Sequence, residues 1–157
     1  MSVSAGSPPL RPTGIVLRRD MTFWHEGVKV THAKLYAAFL RGVDFAEEEG
    51  VFVVRVGHFC GQIEVEDTPY WVVSYDPERG TIGLTDRTEE PLRVETLSVD
   101  PDEVLRCTVK GRFPARFTRV GQAHLLDNLE VRGGETVVCC GDAWIPAPGL
   151  RSGLDEA

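Results

Sequence analysis

The chain has 157 residues, with 17 basic against 24 acidic side chains and a formal net charge of -7. That length suits one ordinary domain or two small ones sharing a core. The acidic balance argues against a nucleic-acid or anionic-membrane partner, for which a basic footprint is needed.

No apolar run approaches the ~18–20 residues that span a bilayer. The opening Met1-Ser2-Val3-Ser4-Ala5 has neither the basic start nor the apolar core of a signal peptide. A cytoplasmic protein is expected.

In chain order, residues 1–13 are rich in Ser, Gly and Pro and are expected to be disordered, as is the polar tail 147–157. Ile15-Val16-Leu17 and Thr22-Phe23-Trp24-His25 read as a short hairpin turning near Asp20 and ended by Gly27. Thr31 is the expected N-cap of a helix, whose Leu35, Tyr36, Phe39, Leu40 and Val43 fall at helical spacing. Gly42 and the run Glu47-Glu48-Glu49-Gly50 stop it. Strands are predicted at 51–56, 59–65 and 70–75. In the last, both parities are apolar: Tyr70 and Val72 on one, Trp71, Val73 and Tyr75 on the other. Such a strand is covered on both faces and central in its sheet. Asp76-Pro77-Glu78-Arg79-Gly80 is a turn, 81–85 a strand, and Pro91-Leu92-Arg93-Val94 the start of another.

Further strands are predicted at 104–110 and 113–118 about Gly111, then a helix with Val120, Ala123, Leu126 and Leu129 inward. Gly133-Gly134 breaks the chain before a strand at 136–140. The residues leading into the two helices, Val28-Lys29-Val30-Thr31-His32 and Ala115-Arg116-Phe117-Thr118-Arg119, share one order: small apolar, basic, apolar, Thr, basic. Each helix then leads to a hydrophobic strand, at Val51 or Val137. A diverged duplication of a strand-strand-helix-strand unit accounts for this. The expected class is α+β, with largely antiparallel sheets and two helices, as a subdomain at 14–80 and a second at 81–146.

The main candidate site is the basic run Arg106, Lys110, Arg112, Arg116 and Arg119, with no acid between Val104 and Gly121. Leu105, Cys107 and Val109 alternate inward, as do Phe113, Ala115 and Phe117, so the basic residues of the strands take the other parity. Facing residues in a hairpin share a side, so the loop holds an odd number of residues. The loop Lys110-Gly111-Arg112 pairs Val109 with Phe113 and sets Arg106 opposite Arg116. Like charges directly opposite cost about 0.2–1 kcal/mol. An anion or a nearby carboxylate removes that cost, and arginine forks match phosphate oxygens. A solvated edge balanced by the chain's own carboxylates is the alternative.

The acidic corner Glu64, Glu66, Asp67 with Pro69 has the residue types for acid–base work or a divalent ion. Asp before Thr-Pro also closes a turn, and salt bridging to the basic strand is the role expected here. His25, His32, His58 and His124 with the cysteines show no second ligand pair at zinc-site spacing. Cys60, Cys107, Cys139 and Cys140 fit no disulfide framework, and the last three read as small buried hydrophobes inside apolar runs. A Gly-rich phosphate loop, a nucleophile elbow and a His-Glu-x-x-His motif are all missing. Neither catalysis, nor a cofactor, nor a metal is expected.

Several stretches, in order, resemble the bacterial family called domain of unknown function 1285. They are Phe23-Trp24-His25-Glu26-Gly27, the helix around Leu35, Val65-Glu66-Asp67-Thr68-Pro69-Tyr70, Leu84-Thr85-Asp86, Pro91-Leu92-Arg93-Val94 and 115–126. Together they extend from about Ile15 to Trp144. The chain departs from the family at Val56-Gly57-His58-Phe59, where Thr-Pro-x-Glu is usual, and at Glu90, where a His commonly precedes Pro-Leu-Arg.

The resemblance implies a duplicated α+β core with a pleckstrin-homology-like C-terminal half. It also implies a nucleotide-like ligand, in signalling, in the groove between the halves, and no enzymatic activity. The combined expectation is a non-catalytic ligand-binding or regulatory protein. Arg93, Arg106 and Arg116 would meet the ligand's charge, Tyr70 or Trp24 would stack on a ring, and Glu66 and Asp67 would stand beside them. The alternatives are a protein–protein adaptor and, behind it, a small hydrolase using Asp67 or Glu66 with a divalent ion.

Overall fold

A computed structural model describes residues 10–150; the rest of the two expected tails lies outside the described residues. The chain divides into two units, residues 1–69 and 70–157.

In the first unit, β1 (Pro12–Leu17), β2 (Phe23–His25) and β3 (Val28–Lys29) form an antiparallel meander. Helix α1 (Ala33–Gly42) follows, then a second meander of β4 (Val43–Ala46), β5 (Val51–Val56) and β6 (Phe59–Val65). β6 returns beside β1 in parallel, so the sheet runs β3-β2-β1-β6-β5-β4. Leu17, Phe23, Val53 and Val54 are fully buried in its core. The Phe39 ring of α1 meets Phe23 edge-on at 5.3 Å.

Two expectations change here. Pro12 and Thr13 are strand rather than tail, because the Thr13 hydroxyl donates to the Gln62 carbonyl at 2.8 Å. The cap of α1 is His32 rather than Thr31: His32 is the last extended residue, and its Nδ1 accepts from the Leu35 N–H at 3.3 Å.

In the second unit, β7 (Tyr70–Asp76), β8 (Thr81–Leu84) and β9 (Glu89–Pro91) form a meander. A 3-10 turn (Val94–Thr96) leads to a second meander of β10 (Ser98–Val99), β11 (Leu105–Val109) and β12 (Phe113–Phe117). β12 returns in parallel beside β7, giving β10-β11-β12-β7-β8-β9. β7 is central, as its two apolar parities predict, with Tyr70, Trp71 and Val72 all buried. Its pairing with β12 also explains why the division falls after Pro69 and not after Gly80.

Traced from its other edge, this sheet has the connectivity of the first, so the fold is duplicated. The correspondence differs from the one expected, because the 3-10 turn, not a helix, occupies the place of α1. What the two helix-leading sequences do share is their sequel. α2 (Arg119–Leu126), like α1, is followed by a three-stranded antiparallel meander: β13 (Leu129–Arg132), β14 (Glu135–Cys140) and β15 (Ala143–Pro146).

The Thr118 hydroxyl caps α2 by accepting from the Gly121 N–H at 3.0 Å. The helix seats on β7 through Gly121, where a Cβ would lie 2.2 Å from the Val72 carbonyl oxygen. This contact reverses the expected face. Leu125 and Gly121 are buried, while Val120 and Leu126 are 59% and 50% exposed. Ala147 and Leu150 are buried, so residues 147–150 pack against the unit and are not part of a loose tail. Tyr75 anchors the last sheet: its hydroxyl donates to the Cys139 carbonyl at 2.6 Å and meets Cys140 Sγ at 3.0 Å. Cys139 and Cys140 are half-buried, and of the four cysteines only Cys107 is fully in the core.

Candidate anion-binding site

Hydrophobic alternation fixes the β11–β12 hairpin in the predicted register. Val109 pairs with Phe113, and Arg106 stands opposite Arg116. The carboxylate that offsets their repulsion belongs to Asp100, in the turn between β10 and β11. Its Oδ1 accepts from the Asp102 and Val104 amides at 2.8 and 3.0 Å. Its Oδ2 lies 3.1 Å from Arg106 Nε and 3.7 Å from Arg116 Nε. Side-chain exposure is 7% for Asp100, 12% for Arg116 and 24% for Arg106, so the cluster is largely shielded from water. Burial opposes the charged carboxylate. The Val104 amide, the Arg106 guanidinium and the Asp102 amide outweigh burial and hold Asp100 below the usual carboxylate range.

The hairpin tip is tied down from the far edge of the same sheet. Lys110 Nζ lies 2.9 Å from Asp86 Oδ2 and donates to Thr88 Oγ1 at 3.3 Å. The Lys110 amide donates to both oxygens of Glu90, at 3.2 and 3.1 Å. Arg93 Nη1 donates to the Gly111 carbonyl at 3.3 Å. Segment 86–93 therefore reaches across to β11–β12, curling the sheet on itself. Glu90 thus offers the two acceptor oxygens that this amide uses. Burial raises Asp86, and the Thr88 hydroxyl and Lys110 more than reverse this, so its carboxyl also titrates low.

Arg93, Arg106, Arg116 and Tyr70 all belong to the second unit. Tyr70 is 1% exposed, with Phe113 edge-on at 6.2 Å and Lys110 5.0 Å over its ring, so it presents no open face to a ligand. Trp24, Glu66 and Asp67 belong to the first unit. The Trp24 ring carries the Arg18 guanidinium at 4.4 Å, and its indole N–H donates to Thr22 Oγ1 at 3.0 Å. Glu66 accepts from the Arg19 amide at 2.9 Å.

Asp100 is the site residue that the sequence reading missed. Its signal was available: Asp100-Pro101-Asp102 is a turn sequence placed directly before the basic strand. Among the described residues, no group of three or more His, Cys, Asp and Glu is placed to hold a metal ion. Nor is any helix there long and apolar enough to cross a membrane.

Fold and site thus define an α+β chain of two six-stranded units of like topology, the second carrying a cross-strand arginine pair that meets Asp100. Its structural neighbours are DUF1285 family proteins. The chain is similar to the crystal structure of one from Silicibacter pomeroyi DSS-3, with a TM-score of 0.64 and 17% identity over 99% of this chain and 90% of that one. A second, from Shewanella baltica OS155, aligns with a TM-score of 0.48 and 11% identity over 68% of this chain and 85% of that one. No family model matches the sequence. No curated protein matches it. The first likeness establishes a shared α+β fold with a member of the family that the sequence resembles.

Proposed function

We propose that the chain is a non-catalytic, cytoplasmic binding protein with a regulatory role, and that its second unit recognises a phosphate-bearing, nucleotide-like small molecule through Arg106 and Arg116. One observation carries this reading: two arginines face each other across a β-ladder and share the carboxylate of Asp100. Forked guanidinium donors match phosphate oxygens, and in a poorly solvated setting such charge-assisted bonds are strong. A phosphate would compete with Asp100 Oδ2 for the pair, while Oδ1 kept the turn closed. Arg93, bonded to the hairpin tip, lies 3.3 Å from Glu95 Oε2, so its charge is already met in part and the reading leans on Arg106 and Arg116.

Calorimetric titration with nucleoside mono-, di- and triphosphates tests the proposal. Binding by the parent, tightened in Asp100→Asn and lost in the Arg106→Gln, Arg116→Gln double variant, supports it. Absence of binding by both the parent and Asp100→Asn across the whole panel discards it.

A further inference from the structure

Independently of the arginine pair, α2 carries a surface that its own unit does not use. Val120, Ala123 and Leu126 recur at the i, i+3, i+6 spacing of one helix face, and all three are exposed. The row exists because Gly121 and Leu125 take the buried side, which leaves an apolar stripe of the kind that a helix normally buries. Beside it a cleft of about 470 Å³ is lined by Val104, Phe117, Arg119, Gln122, Ala123 and Leu126. Gln122 is already committed to the wall: its Oε1 accepts from the Leu105 amide at 2.9 Å and its Nε2 donates to the Glu103 carbonyl at 3.2 Å.

Arg119 differs from every other member of the basic run. Arg106 and Arg116 have Asp100, Lys110 has Asp86, and Arg112 lies 4.9 Å over the Phe113 ring. Among the described residues, the Arg119 guanidinium has no hydrogen-bond or ion-pair partner. It also stands in the first turn of α2, which contains no acid. There a cation opposes the helix dipole and costs stability. An unpaired charge that stabilises nothing within the unit, at the lip of an apolar cleft, fits recognition of a carboxylate from outside.

We infer that this cleft docks an acidic amphipathic segment of a partner protein. Apolar side chains of that segment fill the cleft between Phe117 and the Ala123–Leu126 pair and extend over the exposed Val120 beside it, and a carboxylate pairs with Arg119. Charge selects the partner: the cleft is lined by one cation, Arg119, and no acid, so a basic segment meets repulsion where an acidic one meets attraction.

Selection of a displayed library of random 12-residue peptides on the full-length chain tests this. Expected are sequences with apolar residues three or four apart flanked by Asp or Glu. Synthetic copies of them should bind the Leu126→Ser and Val120→Ser surface variants about tenfold more weakly or worse. Arg119→Glu should lose the acidic peptides and enrich basic ones. The inference is overturned by a selection that enriches nothing, by winners without acidic bias, or by winners that bind the three variants as well as the parent. Self-association of the parent that Leu126→Ser abolishes, measured by sedimentation, also overturns it by assigning the face to a second copy of the chain.

Discussion

Gly121 of α2 lies so close to the carbonyl oxygen of Val72 on β7 that an added Cβ would sit 2.2 Å from it. The same carbonyl accepts the Thr118 N–H at 2.9 Å, so helix cap and strand are fixed to one atom. Alanine is about 1 kcal/mol better than glycine inside a helix. Forcing α2 off β7 should cost more, as overpacking usually does. Gly121→Ala is expected to lower stability by about 2 kcal/mol net, read as a lower urea midpoint. A midpoint at or above the parent's would show that the helix withdraws freely. Gly42 of α1, equally close to the Arg55 carbonyl, should behave alike.

Removing Asp100 takes away a carboxylate that two shielded, facing guanidinium groups share. Asp100→Ala should destabilise the second unit by about 3 kcal/mol, the low end for breaking a buried pair, since Arg106 keeps some contact with water. Asp100→Asn, which keeps an acceptor for the Asp102 and Val104 amides, should cost less. Equal midpoints for the parent and Asp100→Ala would show that the arginines are neutralised by other means.

Stability should fall in acid. Asp100 and Asp86 titrate lower in the folded protein than in the unfolded chain, where Asp sits near about 3.9. Their contribution is complete above the unfolded value and is lost as pH falls through the folded values. Urea midpoints measured from pH 6 down to pH 2 should decline most steeply below about pH 4. The Asp86→Asn, Asp100→Asn double variant should show a flatter acid limb, and an unchanged slope would remove these two residues from the account.

Thiol chemistry should sort the cysteines. Burial, with the charge of Glu90, pushes the Cys107 thiol up to about 12, so almost no thiolate is present at pH 8. Iodoacetamide at that pH should label the half-buried Cys60 first and reach Cys107 only in denaturant, as peptide mass spectrometry would record. Rapid labelling of Cys107 in the native protein would mean that β11 opens easily.

Periodicity and charge made the β11–β12 register legible, because the parity of Leu105, Cys107 and Val109 allows one pairing with Phe113, Ala115 and Phe117. The central place of β7 was legible from its two apolar faces. The face of α2 was not. A row of Val120, Ala123 and Leu126 outweighs one glycine in any reading of pattern, and only the nearness of Val72 shows that glycine to be the contact point. β3, β4 and β10 are two to four residues long and lack a full alternation, so nothing local marks them. Asp100 escaped notice because a turn-forming Asp is ordinarily accounted for by the turn itself. Its second role depends on β10 returning beside β11.

The parallel pairs also bear on synthesis by the ribosome. β1 must wait for β6, since Val16 pairs with Glu64, and β7 for β12, since Tyr70 pairs with Ala115. Neither sheet can close its middle until its sixth strand has emerged, so each nascent unit carries a hydrophobic first strand with one edge unmatched for most of its translation. The long separation between partners makes these closures the slow steps of folding. A pause in translation once Pro69 has cleared the ribosome would let the first unit finish before β7 emerges.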